Sequence, residues 1–402
     1  MTTLESRFAT TPTTAADWLD RAREVRAILA ADAAERDRAG RTPYEEVALL
    51  KESGLVTLLG PTAHGGGGQE WPLAYQVIRE VAAGDGSIGQ LLGYHLLWFW
   101  AARLVGTPEQ IEAVEAEATR NRWFFGGAVN PRDADVVIRE EGDHLVYNGR
   151  KSFSTGSKVS DVTVLEGVLE NTDTHIFAIV PSAQPGLTFH DDWDNIGQRL
   201  TESGSVTISE VQVPWAEAAG FRDRVFTPRV YNTLNVPTIQ LVFASFYLGI
   251  ARGALEEAAQ YTRTHSRPWL HGGQERAVDE PYQLDLYGDL EAKLWAVEAF
   301  ADRVAAEALP IHREPDTVTP RSRGEHEVRV AAVKARATEV ALEVTSRVFE
   351  GLGARATTRE LGFDRFWRNV RTHTLHDPVA YKRREVGAYL LRDEIPEPTW
   401  YS

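Results

Sequence analysis

The sequence predicts a mostly α-helical protein with a β domain set between two helical ones: a helical amino-terminal domain over residues 1–122, a β-barrel or sandwich over 123–226, and a carboxy-terminal four-helix bundle over 227–402. The apolar residues recur at three- and four-residue spacing in the first block, switch to a spacing of two in the second, and return to the helical spacing in the third. A chain of 402 residues, 43% of them hydrophobic, has enough apolar material for a large core divided among two or three domains.

In the first block the helical pattern covers residues 18–33, 44–54, 72–83 and 87–105. Gly54 closes the second of these, Gly65 to Gly68 form a loop, and Asp85-Gly86-Ser87 reads as a cap before the last. Short β-rich runs follow at 136–139, 144–153, 161–169, 175–181 and 205–214, and Asn148-Gly149 carries a hairpin signal because a type I′ turn needs positive φ at both central residues. Helical spacing resumes over 237–264, 281–308 and 323–351, then in two short helices flanking His376, with a charged, proline-containing connection at 310–320. Asp377-Pro378 reads as a helix start, an aspartate cap followed by a proline at the first helical position, which places His376 just outside a positive helix end.

Composition excludes several functions. Forty-three basic residues against fifty-eight acidic give a net charge of −15, which argues against a nucleic-acid or anionic-membrane binder. No cysteine is present, so disulfides, thiolate catalysis and thiolate-bound metals are ruled out, and no metal site is expected. The amino terminus lacks a basic start and an apolar run, and no stretch of eighteen apolar residues occurs, so a cytoplasmic protein is expected. No HExxH, Walker loop or Gly-x-Ser-x-Gly elbow is found, and Gly351-Leu352-Gly353 follows a helix instead of the strand a dinucleotide fingerprint requires.

Histidines in apolar surroundings remain. The helical neighbours of His95 are Leu91, Leu92, Trp98 and Phe99, so its imidazole is either a core group satisfied by a backbone carbonyl or a general acid lining a dry aromatic pocket. His376, beside the Asp-Pro turn, can accept or relay a proton near neutral pH.

Local motifs then point to a family. Leu59-Gly60-Pro61 with Gly65-Gly66, Asn148-Gly149-x-Lys151-x-Phe153, Trp193-x-x-Ile196-Gly197-x-Arg199 and Phe349-Glu350-Gly351-Leu352-Gly353, in the order helix, β, helix, resemble the acyl-CoA dehydrogenase superfamily. Gly93-Tyr94-His95-Leu96, Tyr261-Thr262-Arg263-Thr264-x-x-Arg267-Pro268-Trp269 and the near-continuous stretch 362–382 are similar to the dibenzothiophene monooxygenase branch, some of whose members oxygenate indole-type rings. No glutamate stands where a dehydrogenase keeps its base: those places read Leu375-His376-Asp377-Pro378 and Asn232 to Pro237.

The resemblance implies a two-component monooxygenase that takes reduced flavin (FADH2 or FMNH2) from a separate flavin reductase and uses O2 via a C4a-hydroperoxyflavin. It implies His376 as the hydrogen-bonding acid, His95 as a second polar group, and Ser160 as a flavin contact, although Ser160 also reads as an ordinary β-edge hydroxyl. Arg267 would reach the flavin phosphate of a neighbouring subunit, Trp193 and Asn130 would line the flavin, and Arg368 would either anchor it or pair with acidic neighbours on its helix. An acyl-CoA dehydrogenase and a non-catalytic scaffold are the alternatives. The aromatic segments around Trp98, Phe99, Trp123, Phe124, Phe243 and Phe246 suit a flat apolar ring system, with indole-like carbon hydroxylation ahead of sulfoxidation, in a homotetramer or dimer.

Overall fold

The computed structural model describes residues 8, 10–130 and 135–399. Six helices come first: α1 (Ala15–Ala30), α2 (Ala33–Ala39), α3 (Tyr44–Ser53), α4 (Trp71–Gly84), α5 (Gly86–Val105) and α6 (Pro108–Asn121). α1 starts three residues before its apolar pattern because Thr14 and Asp17 close a capping box. Gly54 ends α3 in the left-handed conformation, and the Asp85 carboxylate accepts the Ser87 and Ile88 amides to start α5, both as the sequence signals.

Nine strands follow: β1 (Phe125–Ala128), β2 (Val136–Glu141), β3 (His144–Lys151), β4 (Val162–Leu169), β5 (His175–Pro181), β6 (Leu187–Phe189), β7 (Val206–Pro214), β8 (Phe221–Arg222) and β9 (Val225–Phe226). The first seven form one curled sheet in the order β1-β4-β2-β3-β7-β6, with β5 also paired to β4, and β8 and β9 make a separate two-stranded ribbon. The hairpin expected at Asn148-Gly149 lies elsewhere. β3 runs straight through this pair, and the turn between β2 and β3 falls at Gly142, where φ is +62°. Asn148-Gly149 marks a register irregularity against β7 instead: the Asn148 Oδ1 accepts the Glu210 amide, and a Cβ on Gly149 would lie 1.8 Å from the Asp135 carbonyl.

The last helices are α7 (Asn235–Thr264), α8 (Pro281–Glu307), α9 (Leu309–Arg313), α10 (Pro320–Leu352), α11 (Asp364–His373) and α12 (Val379–Arg392). α7 is long and apolar enough to cross a membrane, but 89% of its apolar window is buried inside the protein. It is the central core helix, packed on α10, α4, α5 and α8. The expected Asp377 cap is absent: Pro378 occupies the cap position of α12 without a side-chain bond, and the Asp377 carboxylate turns inward. Of the residues of α12, Lys382 alone is buried.

Candidate active site

The polar centre of the molecule forms where α5, α7, α10 and α11 meet the turn into α12. Tyr94 on α5, Tyr247 on α7 and His373 at the end of α11 are all buried, and His373 holds both hydroxyls: Nδ1 lies 2.8 Å from Tyr247 Oη and Nε2 lies 3.2 Å from Tyr94 Oη. Lys334 of α10, fully buried, donates to Tyr247 Oη at 3.3 Å and sits over the Phe243 ring. Burial drives the Lys334 amine down to about 7, and it holds His373 well below the usual imidazole range, aided by the charges of His376 and Lys334.

His376 follows one turn later and is half exposed. Its ring stacks parallel to His373 at 5.4 Å and tilts over Phe243 at 4.9 Å, and its Nδ1 lies 3.1 Å from Asp377 Oδ2, so an Nδ1–H donates there and Nε2 faces away. The same carboxylate oxygen accepts Gln240 Nε2 at 2.6 Å and lies 4.0 Å from Lys334 Nζ. Burial alone would raise Asp377; the His376 bond, the Lys334 charge and the Gln240 bond together hold it well below the usual carboxylate range. One turn before Tyr94, Gln90 is buried with its Oε1 unpaired.

His95 takes the other of the two readings open to it. Nε2–H donates to the Val56 carbonyl at 2.8 Å, Nδ1 accepts the Phe125 amide at 3.0 Å, and the ring stacks on Phe124 at 4.8 Å. With no exposed surface, and with burial pressing its pKa down to about 4, it is a core histidine tying α5 to β1, and its two nitrogens have no bond left for a ligand. The reading of His95 as a pocket acid is corrected accordingly.

On the β side, Phe153 is two-thirds exposed and held at φ +56°, with Trp193 edge-on to it at 6.2 Å. Trp193 Nε1–H donates to the Gln198 carbonyl. The hydroxyls of Ser154 and Ser157 are buried and unpaired, whereas Ser160 spends its own on the Ser157 carbonyl and on Ser182. Asn130 accepts Lys151 Nζ through its carbonyl, at the edge of residues 131–134, which lie outside the described ones. Arg368 is engaged by Asp37, by Asp364 and by the Ile196 carbonyl, the structural pairing that the sequence allowed for it.

Arg267 stands apart. It lines a groove of about 470 Å³ with Trp269, Gln283, Glu350, Gly351 and Gly353, so Arg267 and the Glu350-Gly351-Leu352-Gly353 family motif share one place. Within one chain that groove is far from His376: Gln240, bound to Asp377, and Thr264 stand at opposite ends of α7, about 36 Å apart at 1.5 Å per residue.

Sequence reasoning missed Tyr94, Tyr247, His373, Lys334 and Gln90 as a group. Gln90 and Tyr94 did carry a signal, as polar residues one turn apart on the same face of the otherwise apolar α5, and His373 lies inside the stretch 362–382, but nothing local joins them to Lys334 and Tyr247.

The acyl-CoA dehydrogenase amino-terminal domain matches residues 16–119, and the carboxy-terminal domain of the same family matches 241–380. The dibenzothiophene monooxygenase of Rhodococcus erythropolis is 42% identical over 386 residues, covering 92% of each chain. The solved complex of the dibenzothiophene monooxygenase of Paenibacillus sp. A11-2 with FMN and indole superposes with a TM-score of 0.90 at 42% identity, over 96% of this chain and 100% of that one. Methanesulfinate monooxygenase of Pseudomonas fluorescens superposes with a TM-score of 0.92 at 37% identity, over 98% and 100% of the two chains. The chain belongs to the acyl-CoA dehydrogenase family. Within that family it falls in the branch of flavin-dependent monooxygenases that includes dibenzothiophene monooxygenase.

Proposed function

We infer that the chain is the oxygenase of a two-component system, taking reduced flavin, FMN by preference, from a separate reductase and placing one oxygen atom of O2 on a flat aromatic heterocycle in the cytoplasm. The state of Asp377 carries this reading against a dehydrogenase. A base that removes an α-proton must be free and basic, and this carboxylate is bound by Gln240 and His376 and held far into the ionised range. The residues present fit a flavin: two buried, unpaired serine hydroxyls and an exposed Phe153 beside Trp193 offer polar and stacking partners to a polar-edged ring system. When bound, the reduced flavin activates O2. Phe153 and Trp193 would flank its ring, the half-exposed His376 would offer a hydrogen bond through Nε2, and the bound ring and substrate would cover these exposed groups and exclude water from them.

Arg267 would serve the flavin phosphate of a neighbouring subunit, which explains its distance from His376 along α7. A tetramer suits the outer faces of the bundle, where Leu390, Leu391 and Trp295 are exposed. Indole-type carbon hydroxylation is the first substrate reading, since the Paenibacillus relative binds indole. Sulfur oxidation is the second, favoured by the relatives that act on dibenzothiophene or methanesulfinate.

The test supplies reduced FMN and O2 with indole or dibenzothiophene and identifies products by mass. A hydroxylated indole confirms the first reading and a sulfoxide the second. Tight binding of oxidised flavin with bleaching by an acyl thioester, and no oxygenated product, would instead make this a dehydrogenase.

A further inference from the structure

The Lys334–Tyr247–His373–Tyr94 chain is continuous, buried and built from groups with different hydrogen-bonding rules. An ammonium has three donors and no acceptor, so cationic Lys334 obliges Tyr247 Oη to accept. The Tyr247 hydrogen is then directed at His373 Nδ1, 2.8 Å away, although the His373 carbonyl at 3.1 Å competes for it. With Nδ1 accepting, Nε2 carries the hydrogen and donates to Tyr94 Oη. The Tyr94 O–H is left over, with no further acceptor among the described residues. A neutral amine at Lys334 regains a lone pair and, facing a phenol that is the stronger donor, accepts from Tyr247, which lets every step reverse: Tyr247 accepts from His373 Nδ1–H, and Nε2 accepts from Tyr94, whose hydrogen is then consumed.

We propose that Lys334 is a positioning residue whose charge sets the direction of this chain and so decides whether Tyr94 offers a free O–H to a bound ligand. The inference rests on the flavin-monooxygenase reading for its purpose, since an oxygen transfer gains from a donor that can be presented or withdrawn. It does not rest on that reading for its geometry. Groups facing Lys334 and the chain are Asp377 in the turn, Tyr247 of α7, Tyr94 of α5, His373 and Arg371 of α11, His376, and Lys382 of α12. Asp377 favours the ammonium and Lys382 opposes it. Burial is the largest influence, and the amine titrates at about 7, within reach of ordinary buffers.

The experiment is nitrogen NMR of the ligand-free protein labelled at histidine, with the His373 signals assigned by a His373→Gln variant. The wild type is expected to show His373 protonated at Nε2 at pH 6 and at Nδ1 at pH 8.5. Lys334→Arg, cationic throughout, should hold the Nε2–H form at both pH values, and Lys334→Met should remove the pH dependence. Tyr247→Phe breaks the link without touching Lys334 and should remove it too, so a Lys334→Met chain that fails to fold leaves the test intact. A His373 tautomer that switches equally in Lys334→Met and Tyr247→Phe overturns the proposal, as does a wild-type tautomer that never switches. In turnover with reduced FMN, product formed per O2 consumed should fall roughly tenfold from pH 6 to pH 8.5 in the wild type, the worth of one oriented hydrogen bond, and should be flat in Lys334→Arg. Absence of any oxygenated product in the wild type counts against the proposed function alone, because the tautomer readout needs no flavin.

Discussion

His95 and His376 lie 281 positions apart and differ in kind: the first has both nitrogens bound by backbone, the second has one held by Asp377 and one free. The sequence displayed the apolar neighbours of His95 but not its partners, because Val56 and Phe125 come from 39 and 30 residues away and only folding brings them to the ring. His95→Gln should cost about 1–3 kcal/mol in a urea titration, the penalty for leaving a buried backbone group unpaired. The same burial makes the protein acid-sensitive. The unfolded chain takes up a proton on His95 near 6.5 that the folded state refuses until about 4, so stability falls as pH drops through that window, and His95→Gln should flatten part of the fall. Lys334 works in the alkaline direction. Its unfolded amine stays protonated to 10.5 and its folded one only to about 7, so the wild type should gain stability relative to Lys334→Met as pH rises from 7 to 10.5, which melting curves across that range would show.

At the scale of elements, the loop carrying Trp193 is clamped to α11. A Cβ on Gly197 would lie 2.1 Å from the Arg368 carbonyl, the Gln198 amide donates to Asn369 Oδ1 at 2.7 Å, and the Arg368 guanidinium reaches back to the Ile196 carbonyl. The motif Trp193-x-x-Ile196-Gly197-x-Arg199 was legible in the sequence, but its reason was not, since a glycine demanded by a helix 171 residues later leaves no local trace. Gly197→Ala should lower stability by about 1–3 kcal/mol and loosen flavin binding by shifting Trp193, measurable by melting and by titration of tryptophan fluorescence with reduced FMN. The Asn148-Gly149 pair teaches the converse. A strong local turn signal was overridden where the chain entering β2 passes so closely at Asp135 that only glycine fits at position 149. Helices with clear caps, such as those begun by Asp85 and ended by Gly54, were readable because their determinants are a few residues apart.

The whole molecule poses a question of completeness. α12 buries one side chain, Lys382, through Glu327 and Glu385, and leaves Leu390 and Leu391 more than four-fifths exposed. Such an exposed apolar face suits the proposed tetramer, in which case Leu390→Glu with Leu391→Glu should give smaller species in light scattering. Arg267→Ala should weaken reduced-FMN binding about tenfold while leaving the His373 and Tyr94 chemistry of each subunit intact, since one charged hydrogen bond is lost. Mixed assemblies of Arg267→Ala and Tyr94→Phe subunits should recover activity if a site draws on two chains, a complementation that fails if each chain is self-sufficient.

The burial of Lys334 has one more consequence. The chain holds only six lysines, and three of them, Lys151, Lys334 and Lys382, are buried. Amine-acylating reagents therefore find few targets on the folded protein, and Lys334, whose lowered pKa is itself a product of burial, is acylated only when it is uncovered and then as an ordinary lysine. Acylation at Lys334, followed by mass spectrometry of its peptide, becomes a clock for transient opening of the bundle core, marking how often solvent enters the place from which the enzyme must keep it out.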